Sequence, residues 1–215
     1  MTKRALIEHR PLLLASIVAA IAFYVLKDGQ LADVWKTLIK GAGVGLLAAY
    51  ALLRFRGVEA RWIALVMALG AAGDMAIENW FEVGGALFFL GHVVAIAFYL
   101  RYPRKQATPS QKALAVALLI GTPLLCWLLS GSWQIALYGL ALGGMASTAW
   151  MSRFPRYRVG VGAVLFVISD WLIFSRLGPI DLAPLPDLLI WPLYYFGQFL
   201  ICTGVIQQLR REHRA

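Results

Sequence analysis

Polar residues interrupt this chain only at intervals. Between them run apolar stretches over roughly 11–26, 33–53, 62–78, 82–100, 111–130, 132–152, 159–176 and 187–209. Most of these approach the roughly 20 residues that an α-helix needs to cross about 30 Å of hydrocarbon, and the first is the shortest. The pattern predicts an all-α, polytopic membrane bundle of eight transmembrane helices, forming a single transmembrane domain over residues 1–215. The start, MTKRALIEHRPLLLASIVAAIAFYVLKDG, has the basic opening of a signal peptide. No small-residue cleavage site closes its apolar part, so it reads as a retained first helix.

The cations between the spans set the orientation. Lys3, Arg4 and Arg10 precede the first span, and Arg54, Arg56 and Arg61 follow the second. Arg101, Arg104, Lys105 and Lys112 follow the fourth, Arg153, Arg156 and Arg158 the sixth, and Arg210, Arg211 and Arg214 the eighth. The alternate loops hold only Lys27 and Arg176, beside Asp28, Glu82, Asp181 and Asp187. Every second loop is therefore basic, which places both termini in the cytoplasm of a multi-pass protein of a bacterial-type inner (plasma) membrane. An even number of spans allows two four-helix halves in the same orientation. AAGDMAI in the third span matches VISDWLI in the seventh, and FLGHVV in the fourth matches YFGQFL in the eighth. Such a pairing fits a parallel repeat about an axis along the membrane normal.

Composition agrees with this pattern. Hydrophobic residues make up 60% of the chain and charged residues 14%, with a mean hydropathy of +0.71. A water-soluble domain of this size has no interior large enough for that much apolar surface. The net charge of +9 sits in short clusters between the apolar runs. That arrangement suits anionic lipid headgroups and argues against a nucleic-acid partner. Cys126 and Cys202 both lie within apolar runs and read as packing residues.

Few ionisable groups fall deep within the spans: Lys36 and Lys40 in the second, Asp74 and Glu78 in the third, His92 in the fourth and Asp170 in the seventh. Gln198 in the eighth is a neutral companion. A charge at the bilayer centre costs at least about 2.5–3.5 kcal/mol, so such groups face a polar cavity or a partner. The expected topology puts Asp74 and Asp170 somewhat beyond the midplane, at depths where Lys40, His92 and Gln198 could join them in one cavity of the outer half. Each has a plainer reading. The aspartates could form salt bridges with Lys36 or Lys40 that only hold the bundle together, His92 could be a packing residue, and Gln198 could bridge helices. Lys36 reads as snorkelling to the outer surface and Glu78 as a solvated rim residue. Trp80, Phe81, Trp133, Trp171 and Trp191 read as interfacial aromatics. Tyr194, one turn before Gln198, could line the same cavity. Gly70, Gly73, Gly91, Gly162 and Gly197 would let helices approach closely.

Two carboxylates in a low-dielectric site suit acid–base work, one held protonated and the other kept ionised by a neighbouring cation, for which Lys40 is available. No Gly-x-Ser-x-Gly elbow is present, no Cys–His pair is evident, and only one histidine lies within a span, so a multi-histidine zinc site is not expected. Metal-free hydrolysis without a cofactor and proton-coupled transport of a small or amphiphilic molecule remain as the two chemistries.

The residues GDMAI…GGALFFLGHVVAIAFYL, GAVLFVISDWLIF and YYFGQFLI, in that order, resemble the YhhN-like family of eight-span membrane proteins, which includes the lysoplasmalogenases. The likeness extends to LIKGAGVGLLAAY, where family members often carry Pro after the lysine and this chain has Gly41. It covers most of the chain from about residue 36 onward. The resemblance implies hydrolysis of the vinyl ether bond of a lysoplasmalogen, giving a long-chain aldehyde and glycerophosphoethanolamine or glycerophosphocholine. Asp74 and Asp170 would then be catalytic. Lys40, Glu78, His92, Tyr194 and Gln198 would orient them or contact the lysophospholipid, with membrane lipid as the surrounding partner.

Overall fold

The computed structural model describes residues 10–180 and 182–213; Lys3, Arg4, Asp181 and Arg214 lie outside them. Eight α-helices follow in order: α1 (Arg10–Leu26), α2 (Asp33–Arg54), α3 (Val58–Ala76), α4 (Phe81–Leu100), α5 (Pro109–Ser130), α6 (Trp133–Met151), α7 (Val161–Ser175) and α8 (Leu185–Glu212). A π-helical turn, Arg156–Gly160, leads into α7. There is no strand among the described residues, only one isolated bridge between Pro103 and Ser152. Each helix falls on an expected span. Alone or with the π turn before it, each begins or ends within a few residues of the expected limits.

The protein is a helical membrane bundle. Among the described residues, five segments are long and apolar enough to cross a membrane: α2, α4, α5, the π turn with α7, and α8. Pro11–Leu26 is a shorter apolar helix. In α3 the charged residues Glu59, Arg61 and Asp74 dilute the apolar character, and in α6 Gly, Ser, Thr and Gln do so. Pro123 and Pro192 lie inside continuous helices. Each proline removes one backbone donor, a loss that neighbouring helices and local adjustment absorb within a membrane bundle.

Local sequence sets the helix limits. Thr108 accepts a hydrogen bond from the Gln111 N–H, the Gln111 side chain accepts one from the Thr108 N–H, and Pro109 sits at the first turn of α5. This capping box is backed by a proline whose ring geometry suits a helix start. At the other end Gly131 takes the left-handed conformation, φ 70°, that closes the helix without a Cβ penalty.

Two compact units make up the chain. The first comprises residues up to Gly91 together with those from Ile206 onward. Here α1 packs on α2 and α2 on α3, and the Ser16 hydroxyl donates to the Gly43 carbonyl at 2.5 Å. The second runs from His92 to Val205 and packs α5 on α6 and both on α7. At its basic end the loop after α4 is tied to the loop after α6. The Arg104 N–H donates to Met151 O at 2.9 Å and the Arg153 N–H to Tyr102 O at 2.8 Å. The Arg153 guanidinium covers the Tyr102 ring at 4.6 Å, a cation–π contact that seals this tie. Between α7 and α8, Gly162 and Gly197 face one another so closely that a Cβ on either would fall 2.6 or 2.7 Å from the other's carbonyl oxygen.

Candidate active site

In the first unit Lys40, on α2, pairs with Glu78 just beyond the end of α3. The lysine stem lies beside Phe23, its Nζ 5.4 Å from the ring centre. Its side chain is 12% exposed and that of Glu78 49%. Its ammonium is on Glu78, one helical turn further along than Asp74. Glu78 keeps its rim position but is paired rather than only solvated. Lys36 is held by Asp33, three residues before it, at 3.7 Å. Asp74 is buried in the last turn of α3.

A half-exposed pair contributes at most about 1 kcal/mol to stability. Glu78→Gln is accordingly expected to leave the thermal midpoint nearly unchanged in detergent and to keep turnover within a few-fold of the native protein. A loss as deep as that from an aspartate substitution would move Glu78 into the catalytic set.

The second unit gathers a different set. Tyr138 lies about a turn and a half into α6 and Asp170 about as far from the end of α7, so these adjacent antiparallel helices bring them to one height. The Tyr138 hydroxyl donates to Asp170 Oδ2 at 2.7 Å. His92 Nε2 lies 3.1 Å from that same hydroxyl oxygen. Both distances are those of good hydrogen bonds. Asp170 is only 4% exposed and His92 is equally enclosed. The rings around them lock the set. His92 meets Tyr138 edge-on at 5.4 Å and Phe166 at 5.0 Å, while Tyr138 meets Phe174 at 5.5 Å. Next to Asp170, the Ser169 hydroxyl donates to Ile190 O at 2.9 Å, tying α7 to α8 beside the carboxyl.

Tyr194 is buried with its ring 5.1 Å from Phe166, so one aromatic ring stands between it and His92. Gln198 is buried one turn further along α8. Of the expected interfacial aromatics, Trp80, Phe81 and Trp133 are exposed, as lipid-facing belts require. Trp191 is buried instead, stacked on Tyr195 at 6.1 Å. It faces inward because that side of α8 carries the aromatic cluster. Trp171 is half-buried, with its indole nitrogen enclosed. Both cysteines are buried and neither forms a disulfide. No group of three or more His, Cys, Asp or Glu is gathered for a metal ion among the described residues.

Tyr138 was not legible as a site residue. A tyrosine near a helix end reads as an interfacial aromatic, and only counting from the loop between α6 and α7 sets it level with Asp170.

Fold and site together define a multi-pass helical membrane protein with a buried carboxyl–phenol–imidazole chain. Within that class, the chain belongs to the YhhN family, whose profile matches residues 35–205. Two curated relatives, each named lysoplasmalogenase, come from Mycobacterium bovis and Mycobacterium tuberculosis. Each is 35% identical over 176 residues, a match covering 74% of this chain and 66% of the relative. The match thus spans just under two thirds of those relatives' length. No solved structure matches the chain.

Proposed function

We propose that this protein is an intramembrane hydrolase that cleaves the vinyl ether bond of lysoplasmalogens, lysoplasmenylethanolamine or lysoplasmenylcholine, without a metal or cofactor. The observation that carries the reading is Asp170, a buried carboxyl held by a phenol and with no ion pair among the described residues. A scaffold aspartate would sit on a cation, whereas the partner of the Asp170 carboxyl is the Tyr138 hydroxyl. The curated relatives' printed name and the shared family point to the same chemistry.

Vinyl ethers are hydrolysed through protonation of the β-carbon. The C=C electron pair takes a proton from a carboxylic acid to form the new C–H bond, and the ether oxygen's lone pair stabilises the adjacent carbon as an oxocarbenium ion. Water adds to that carbon and loses a proton to a carboxylate. The resulting hemiacetal splits into a fatty aldehyde and glycerophosphoethanolamine or glycerophosphocholine. The reaction needs an acid, a negative charge near the cation and a base for the water. Asp170 and Asp74 are assigned these roles, Asp74 because the sequence sets it at the matching position of the third span. A buried site suits a substrate whose chain lies among the helices. Lys40 is assigned to the substrate's phosphate end, and Tyr194 and Gln198 to positions along the substrate. The protein would act from the plasma membrane with both termini cytoplasmic.

The test is release of aldehyde, read by a coupled aldehyde dehydrogenase, from a panel of lysolipids presented to purified protein in mixed micelles. Turnover is expected with vinyl ether lysolipids and none with their saturated alkyl ether counterparts, which cannot be protonated at carbon. Absence of aldehyde across the panel would overturn the reading. Uptake into proteoliposomes driven by a proton gradient would put the transporter in its place.

A further inference from the structure

The hydrogen-bond chain His92–Tyr138–Asp170 runs in one direction, and that direction divides the labour between the aspartates. A phenol has one hydrogen to give. That of Tyr138 is given to Asp170 Oδ2 at 2.7 Å. The contact at 3.1 Å from His92 Nε2 to the same phenol oxygen must then be filled by a hydrogen on Nε2. His92 donates to Tyr138, and Tyr138 donates to Asp170. Rotation of the phenol hydrogen away from the carboxyl would aim it at an N–H, so the imidazole keeps it pointed at Asp170. The rings of Phe166 and Phe174 against His92 and Tyr138 hold both in place.

We propose that Tyr138, aimed by His92, is the positioning residue that makes Asp170 the proton donor, by occupying Oδ2 and leaving Oδ1 to carry the proton that goes to the β-carbon. The inference rests on the hydrolase reading and settles what the sequence left open, which aspartate is the acid. When Asp170 gives up its proton, negative charge develops on the carboxylate in a water-poor site. A hydrogen bond donated to it there is stronger in the transition state than before transfer, so it assists the chemical step rather than binding. Tyr138 touches no reacting atom and acts only through Asp170; His92 acts only through Tyr138.

The experiment measures kcat and KM for aldehyde release by the full-length protein and by Tyr138→Phe, His92→Phe and the double variant. Phenylalanine keeps both ring contacts of Tyr138 and removes only the hydroxyl. Tyr138→Phe is expected to lower kcat roughly 10- to 100-fold, the worth of a hydrogen bond to a charged group, with KM within about twofold. His92→Phe is expected to lower kcat less, and the double variant should match Tyr138→Phe, because the histidine has nothing to act through once the hydroxyl is gone. Independent structural effects would multiply instead. In infrared difference spectra, the buried carboxyl band that disappears in Asp170→Asn should shift in Tyr138→Phe. Native kcat in Tyr138→Phe, multiplied losses in the double variant, or an unshifted band would each overturn the inference while leaving the hydrolase intact. If the unmodified protein itself releases no aldehyde, the hydrolase reading falls, and this inference with it.

Discussion

Asp170→Asn should reduce aldehyde release at least about 100-fold, the lower end of what a positioned acid contributes, while the protein stays folded. Asparagine has the shape of aspartate and keeps an oxygen that can accept from Tyr138, so packing and the α6–α7 contact survive. What it lacks is a proton to give to carbon. Burying a neutral amide is easier than burying an ionisable carboxyl, so the thermal midpoint in detergent should hold or rise. Asp74→Asn should be equally inactive if Asp74 is the second carboxylate of the reaction. Normal turnover in both variants would end the two-aspartate mechanism. Loss in Asp170→Asn alone would leave a single carboxyl serving as acid in the first step and as base in the second.

The second large effect concerns stability. Gly162→Ala places a methyl group 2.6 Å from the Gly197 carbonyl oxygen. That neighbour is backbone of α8 and cannot turn aside as a side chain would, so the two helices must separate. Overpacking of this kind costs about 1–3 kcal/mol and sometimes more. The alanine variant belongs at the upper end of that range, and Gly162→Val should exceed it or fail to accumulate in the membrane. The built-in contrast is Gly121, also helical, where an added Cβ meets nothing within 4 Å. There alanine should be neutral or stabilise by up to about 1 kcal/mol, because glycine is the weaker helix former. Denaturation of all three in one detergent, followed by circular dichroism, decides the matter. Equal midpoints for Gly162→Ala and Gly121→Ala would mean that the α7–α8 approach is not tight in solution. Because Asp170 lies about two turns beyond Gly162, parting these helices should also lower turnover.

The helices were plain in the sequence because a bilayer imposes both a length and an apolar composition on whatever crosses it, and the alternation with cationic loops marks their ends. That logic located all eight. The site was only partly legible. Asp170 and His92 stood out because ionisable groups are rare in apolar runs. Tyr138 did not, because a phenol at that height is common for reasons unrelated to chemistry. The Lys40–Glu78 pair was not legible for another reason. Spacing along α3 shows that Asp74 and Glu78 share a face, yet it does not tell which of them a lysine on a neighbouring helix will reach.

The π turn at Arg156–Gly160 bears on how this sequence can tolerate change in length. The Val161 N–H reaches back five residues to the Arg156 carbonyl, so the turn holds one residue more than an α-helical turn would. Deleting a residue within it would tighten the turn to ordinary α geometry and leave the rest of α7 in register. The same deletion a few positions later, between Val161 and Ser169, would rotate Asp170 by about 100° away from the Tyr138 hydroxyl. Evolutionary gains and losses of single residues are therefore expected to collect at the turn, and a scan of one-residue deletions along 156–169 should find activity surviving only in its first third.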